Sequence, residues 1–258
     1  MKNRLTRSSV IVISFLLCLY FPRILKSFFD LKGNKLYISS LGYPFTLLII
    51  IISLFILYKY SLSKTVSGLG LKKGFKKGLI FGLAAASPMI ISSAIFFKLS
   101  ENLFSFETLI IVIIGPVMEE ILFRGYLFGQ LFKKEHWGFI PASLVAAVFF
   151  GIGHLYQGDT TASLIGVFFV TFIGSVWNGW LYIEHNDNLW IPIWLHIFMN
   201  MSWSIFQTDV PGAIGNNITN LFRIITIVIT VVYTIRFSKK NGFKINKKKL
   251  WKNKPPAQ

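Results

Sequence analysis

Residues 108–132 read TLIIVIIGPVMEEILFRGYLFGQLF. The stretch is too long and too apolar for a strand. Only Glu119, Glu120 and Arg124 carry charge in it. At ~1.5 Å per residue, a helix of this length crosses a hydrocarbon core of ~30 Å. Ionisable side chains at that depth are costly and mark a functional site unless they are paired. Positions four apart share a helix face, so Glu120 and Arg124 can pair, which lowers the cost of burying both. Glu119 is rotated by about 100° and lacks that partner. A carboxylate left unpaired away from water gains basicity, which suits a general base. A purely structural ion pair accounts for one acid and leaves the second unexplained. Gly115-Pro116, just before the carboxylates, removes a backbone donor and loosens the helix there; it either orients the carboxylates or only kinks the helix.

The rest of the chain has the same character. It has 258 residues, 53% of them hydrophobic and 14% charged, with mean hydropathy +0.60. Soluble domains usually carry ~25% charged residues. The expected fold is all-α, a polytopic transmembrane helical bundle of about eight spans: Ser8–Phe21, Tyr43–Tyr60, Leu79–Phe97, Thr108–Phe132, Trp137–Tyr156, Ala162–Tyr182, Leu189–Phe206 and Asn217–Phe237. Residues 1–258 are read as one integral-membrane domain with a core over 110–204 and a basic tail over 238–258. In the third span Gly82, Ala84, Ala85, Ala86 and Ser87 precede Pro88, as expected for close helix packing in lipid.

The formal net charge is +17. In a soluble protein this would point to nucleic acid, but no nucleic-acid motif is present. The lysines and arginines cluster between apolar spans and at both ends, in line with the positive-inside rule. From Arg236 onward the chain carries nine Lys/Arg and no acid. An even span count puts both termini on the cytoplasmic side of the plasma membrane, with the tail on the anionic leaflet. The first loop, with Arg23, Lys26, Lys32 and Lys35, then falls outside and departs from the rule. Lys2, Arg4 and Arg7 precede the apolar run Val10–Phe21 as in a signal peptide, but no small-residue cleavage site follows, so the run is read as an uncleaved span. Cys18 is the one cysteine, which excludes an internal disulfide framework; it is expected to be buried as a small hydrophobe.

Two further polar clusters interrupt apolar segments. Phe149-Phe150-Gly151-Ile152-Gly153-His154 places an imidazole beside two glycines. His196 and Asn200 share a face four residues apart, so their imidazole and amide either stabilise an oxyanion or form an interhelical hydrogen-bond pair. His136 and His185 lie in polar turns and are expected to be solvated. Asp159, Asp187 and Asp209 are placed in loops, so no intramembrane aspartate pair is present. HExxH and GxSxG are absent. Glu119 with two histidines offers a zinc donor set in principle, but spacing across three helices does not test it. Counting rise along straight spans puts His154 near one end of its span, His196 nearer the opposite face and Glu119 at mid-depth. Convergence therefore requires shifted boundaries, tilted helices or a deep cavity.

Glu119-Glu120-Ile-Leu-Phe-Arg124, Phe150-Gly-Ile-Gly-His154 and His196-Ile-Phe-Met-Asn200, in this order, resemble the EExxxR, FxxxH and HxxxN motifs of the CAAX-prenyl-protease and bacteriocin-processing (CPBP) family of intramembrane endopeptidases. The likeness covers about residues 110–204 and includes the Arg124-Gly125 step and the segment Leu181–His196. It implies an eight-helix bundle with a conical cavity and a glutamate-activated water. Glu119 would be the base and His154 would position the water. His196 and Asn200 would stabilise the oxyanion, and Glu120 and Arg124 would hold the site's shape. The family has been described both as zinc-dependent and as metal-independent; with no surplus ligand visible, no cofactor is expected here. The substrate would be a peptide or membrane protein in the lipid bilayer, in bacteriocin or signal-peptide processing or self-immunity rather than prenyl-protein maturation. Rival classes are a non-catalytic immunity or scaffold protein and an ion-coupled transporter; the latter predicts repeated halves with broken helices, which the sequence does not show. The oligomeric state is not legible.

Overall fold

The computed structural model describes residues 4–28, 40–208 and 212–253. Lys32, Lys35 and Asp209 lie outside the described residues. The described chain is helical: α1 (Arg4–Phe28), α2 (Tyr43–Tyr58), α3 (Leu62–Gly68), α4 (Phe75–Phe96), a composite α5 over 106–133, α6 (Phe139–His154), α7 (Thr161–Glu184), α8 (Trp190–Ser204) and α9 (Asn217–Asn241), with no strand among the described residues. All of these except α3 fall on the eight expected segments, with ends shifted by a few residues.

The number of crossings is a separate matter. By length and composition, Arg4–Pro22 of α1, α4, Phe139–Gln157, α7 and α9 can each cross a membrane. α2 with α3, bent by 97°, makes a sixth. α8 has 15 residues, too few for a crossing of its own. α5 is divided into five pieces of alternating α and π geometry. A helical membrane bundle is therefore established, while eight spans stands as an expectation.

Local chemistry sets these boundaries. α2 ends where Lys59 takes a left-handed conformation (φ 56°), and Ser61 caps α3 by accepting from the Lys64 N–H. Thr160 with Ser163, and Asn216 with Thr219, form capping boxes that open α7 and α9. Pro88 inside α4 cannot donate to the Ala84 carbonyl, and the Ser87 hydroxyl donates to it instead at 2.9 Å.

α5 is the central helix. Every residue from Glu120 to Phe128 is buried. Tyr126, Leu127 and Phe128 meet Ile11, Phe15, Ile50 and Leu54 of α1 and α2, and Phe139 and Phe150 of α6, in one core. Cys18 is buried in that core, as expected. Large apolar side chains face outward on the peripheral helices, among them Leu17, Phe55, Ile80, Ile95, Ile173 and Ile224, which is the pattern lipid requires. Glycines bring α4 against α8: a Cβ on Gly78 would sit 2.3 Å from the Trp190 carbonyl oxygen, and one on Gly82 2.7 Å from the Trp194 carbonyl carbon.

Residues 242–253 fold back against the helix ends. The buried Glu184 carboxylate accepts from the Lys244 and Ile245 N–H groups and from the Ser238 hydroxyl, at 3.1, 3.0 and 2.6 Å. The Asn253 amide donates to Phe132 O at 2.8 Å, and Ile140 N–H donates to Leu250 O at 2.9 Å.

Candidate active site

The site is built on the two π segments of α5. In the first, Ile110–Ile114, the Gly115 N–H reaches back five residues to Ile110 O instead of four to Ile111 O. The donor that would serve Ile111 O in that wider register belongs to residue 116, a proline without an N–H. Ile111 O is thus free of its own helix, and Asn200 Nδ2 donates to it at 2.9 Å. The Gly115-Pro116 step therefore creates an acceptor that fastens α8 to α5.

The second π segment, Glu120–Phe128, carries Glu120, Arg124 and Gly125. Leu189, just before α8, presses against Gly125: its Cδ2 lies 3.0 Å from where a Cβ would stand, and Leu69 O lies 3.3 Å away. That contact resolves the depth problem. α8 starts alongside Gly125, part-way up α5, so its seventh residue, His196, reaches the level of Glu119. α6 ends at His154 after 16 residues, at about the same height above the shared helix ends.

Glu120 is fully buried and its Oε1 is the hub. His196 Nδ1 lies 2.9 Å from it, Arg124 Nη1 3.0 Å and Asn178 Nδ2 3.4 Å. The Arg124 contact is an ion pair by distance without hydrogen-bond alignment. The guanidinium instead lies over the Phe150 ring, its Cζ 4.2 Å from the centroid. The same ring contacts the His154 imidazole at 4.3 Å, and Phe150 O accepts from His154 Nδ1 at 2.7 Å. Phe150 thus joins the first motif to the second, which its spacing alone did not reveal.

Glu119 has no such partner. Its side chain is 34% exposed, and Oε2 lies 4.0 Å from His154 Nε2 and 3.9 Å from His196 Nε2. Each imidazole is held by Nδ1, one on a carbonyl and one on a carboxylate. A carbonyl accepts only, so His154 Nδ1 carries hydrogen and neutral His154 turns a lone pair toward Glu119. The 4.0 Å gap between Glu119 Oε2 and His154 Nε2 suits a bridging water. Tetrahedral zinc with bonds of ~2.0–2.1 Å sets its donors ~3.3 Å apart. These three stand wider, and among the described residues no three His, Cys, Asp or Glu side chains form a metal-holding group.

The structure brings Glu119, Glu120, Arg124, His154 and His196 together. It places Asn200 one turn away with an amide hydrogen committed to Ile111 O. Asn178 escaped the sequence reading, although a lone amide in the apolar run of α7 is the same signal that singled out Asn200. His185, expected to be solvated, is 8% exposed. It stacks on Phe237 at 4.7 Å, and its Nε2 meets the Thr234 hydroxyl at 3.0 Å. The turn is polar in sequence, but α9 covers it. His136 is also partly covered, its carbonyl accepting from Asn253 N–H of the folded tail. Asp159 and Asp187 lie outside the helices, as expected.

A helical membrane bundle with a carboxylate, two oriented imidazoles and a buried ion pair in its interior is the architecture of a polar membrane-embedded centre. Residues 101–202 match the family model described as Type II CAAX prenyl endopeptidase Rce1-like. Over 97 residues the chain is 36% identical to a Bacillus subtilis (strain 168) protein named "Putative membrane peptidase YdiL". That alignment spans 38% of this chain and 35% of the relative, so it covers about a third of the relative's length. No solved structure matches the chain. The matched segment is the one that carries the three motifs, and over it the chain is similar to that family of membrane peptidases.

Proposed function

We propose that the protein is a CAAX-protease-like membrane endopeptidase that hydrolyses a peptide bond with water activated by Glu119. The observation that carries this is the placement of Glu119 Oε2 opposite two imidazole Nε2 atoms at 3.9 and 4.0 Å, each ring fixed from behind through Nδ1. The family match and the relative's name support the same class.

In this mechanism a water held between Glu119 and His154 gives a proton to Glu119 as its oxygen attacks the scissile carbonyl carbon. His196, held from behind by Glu120 at Nδ1, donates Nε2–H to the oxyanion. The remaining amide hydrogen of Asn200 is the second donor. Glu119 then passes its proton to the leaving nitrogen, the C–N bond breaks as the oxyanion collapses to a carbonyl, and a carboxylic acid and a neutral amine depart. Glu120, Arg124, Phe150 and Asn178 hold the imidazoles and touch no reacting atom. The substrate is a peptide or membrane-protein segment reached within the bilayer. The AT-rich-type composition and the basic loops favour bacterial peptide processing or self-immunity, with both termini at the cytoplasmic face of the plasma membrane.

The test is cleavage of a library of hydrophobic peptides by the purified full chain in nanodiscs, read by mass spectrometry. Cleavage is expected to resist a zinc chelator and to fall at least a hundredfold in His154→Ala. Wild-type rates in His154→Ala, or full inhibition reversed by zinc, would overturn this mechanism.

A further inference from the structure

A second polar concavity lies at the opposite end of α5 from its N-terminus, roughly 20 Å along the helix from Glu119. It encloses about 730 Å³, within the range of small-molecule sites. Five lysines line it from three parts of the chain: Lys64 of α3, Lys133 and Lys134 at the end of α5, and Lys244 and Lys249 of the folded tail. Asp187 is the one carboxylate among its lining residues. Phe132 and Ile183 supply an apolar wall.

Asp187 acts on Lys133 at longer range, which leaves the cavity with a large excess of positive charge. Among the described residues no carboxylate forms an ion pair with any of the five. Lys133 Nζ donates to Gly68 O at 2.9 Å and to the Tyr182 hydroxyl, both neutral acceptors. Lys134 lies 5.5 Å from the Tyr60 ring centroid. Lys133 and Lys134 alone would be explained by the negative end of the α5 dipole. Lys244 and Lys249 would not. They belong to the segment that Glu184, Phe132 and Ile140 fasten in place, so the fold collects cations where repulsion opposes it. The cavity lies beside the C-terminal end of α7, a helix long and apolar enough to cross a membrane, and headgroups lie at the ends of such helices.

We propose that this cavity binds a phosphate-bearing anion, presented by an anionic phospholipid headgroup or by a soluble phosphate compound. The anion offsets the lysine repulsion and ties the tail to α3 and α5. The site is separate from the Glu119 centre and does not depend on the peptidase reading.

The test uses the full chain in detergent, delipidated, with binding read by native mass spectrometry and by thermal shift. The probes are short-chain phosphatidylglycerol, phosphatidylcholine of equal chain length, and inorganic pyrophosphate. Lys64→Gln/Lys244→Gln/Lys249→Gln is compared with Lys72→Gln/Lys73→Gln/Lys76→Gln, which removes the same charge away from the cavity. Each cavity lysine is expected to contribute about fivefold, so the first triple binds phosphatidylglycerol about a hundredfold more weakly while the second stays near wild type. Lys249→Gln alone, about fivefold weaker, serves if the triple does not fold. The same dependence with pyrophosphate identifies a soluble ligand; dependence with phosphatidylglycerol alone identifies a lipid. Equal losses in both triples, equal affinity for phosphatidylcholine, or no binding by any probe would overturn the proposal.

Discussion

Gly78→Ala is a small change remote from every motif, yet the structure gives it a large effect. The new Cβ would stand 2.3 Å from Trp190 O, 2.5 Å from Trp190 C and 2.8 Å from Trp190 Cβ. Ordinary contact begins at 3.4 Å, so α4 and α8 must part by 3.4 − 2.3 = 1.1 Å. Two of the three obstructing atoms are backbone, and no rotamer change relieves them. Overpacking of this kind costs about 1–3 kcal/mol. α8 carries His196 six residues further on, and a shift of ~1 Å at a catalytic group costs about a hundredfold in rate. The expected result is a lowered unfolding midpoint in detergent together with cleavage reduced about a hundredfold. Gly166→Ala and Gly174→Ala are the controls, since a Cβ at either position meets nothing within 4 Å. Both should match or exceed wild-type stability, because Ala is the better helix former by about 1 kcal/mol. A Gly78→Ala protein with wild-type midpoint and rate would refute the close α4–α8 contact and the placement of His196 that depends on it.

Further outcomes follow from the buried polar groups. Arg124→Ala takes the guanidinium from the buried Glu120 and leaves it only His196 and Asn178, so a loss of about 3 kcal/mol is expected; Glu120→Gln/Arg124→Met should recover most of the stability and none of the activity, as thermal unfolding and peptide cleavage would show. Asn200→Leu strands Ile111 O at a cost of about 1–3 kcal/mol. Pro116→Ala in the same chain returns an N–H to that register and should restore stability but not rate. Burial pushes His185, at the end of α7, down to about 4. The unfolded chain, with imidazole near ~6.5, then binds more protons than the folded one between those values. Stability is therefore full above about pH 6.5 and falls by about 3 kcal/mol as pH drops toward 4, and His185→Phe should flatten that part of a pH–stability curve.

Much of this was legible in the sequence because burying charge in lipid is so costly that each exception announces itself. Glu119, Glu120, Arg124, His154 and His196 were found by that signal, and the four-residue spacing of Glu120 and Arg124 anticipated their pairing. Helix existence followed from the apolar runs. Depth did not follow, because it depends on where α8 starts, and that is set by Leu189 seating on Gly125, a contact between distant residues. The π registers of α5 were equally hidden: Gly115-Pro116 signalled a disturbance, but only the fold shows Ile111 O passed to Asn200. His185 was misjudged because local polarity says nothing about a helix from the far end of the chain covering the turn. The anchoring of the tail on the buried Glu184 was hidden for the same reason.

The central claim is that Glu119 activates water for peptide hydrolysis. The most direct test compares peptide termini in membranes and medium of the native strain, wild type against Glu119→Gln at matched expression. The account predicts a set of termini present with wild type and absent with Glu119→Gln, while the variant protein remains folded and in the membrane. Identical termini in both, with Glu119→Gln still supporting any growth or immunity phenotype of the wild type, would contradict it and leave a non-catalytic membrane protein that keeps the three motifs for folding.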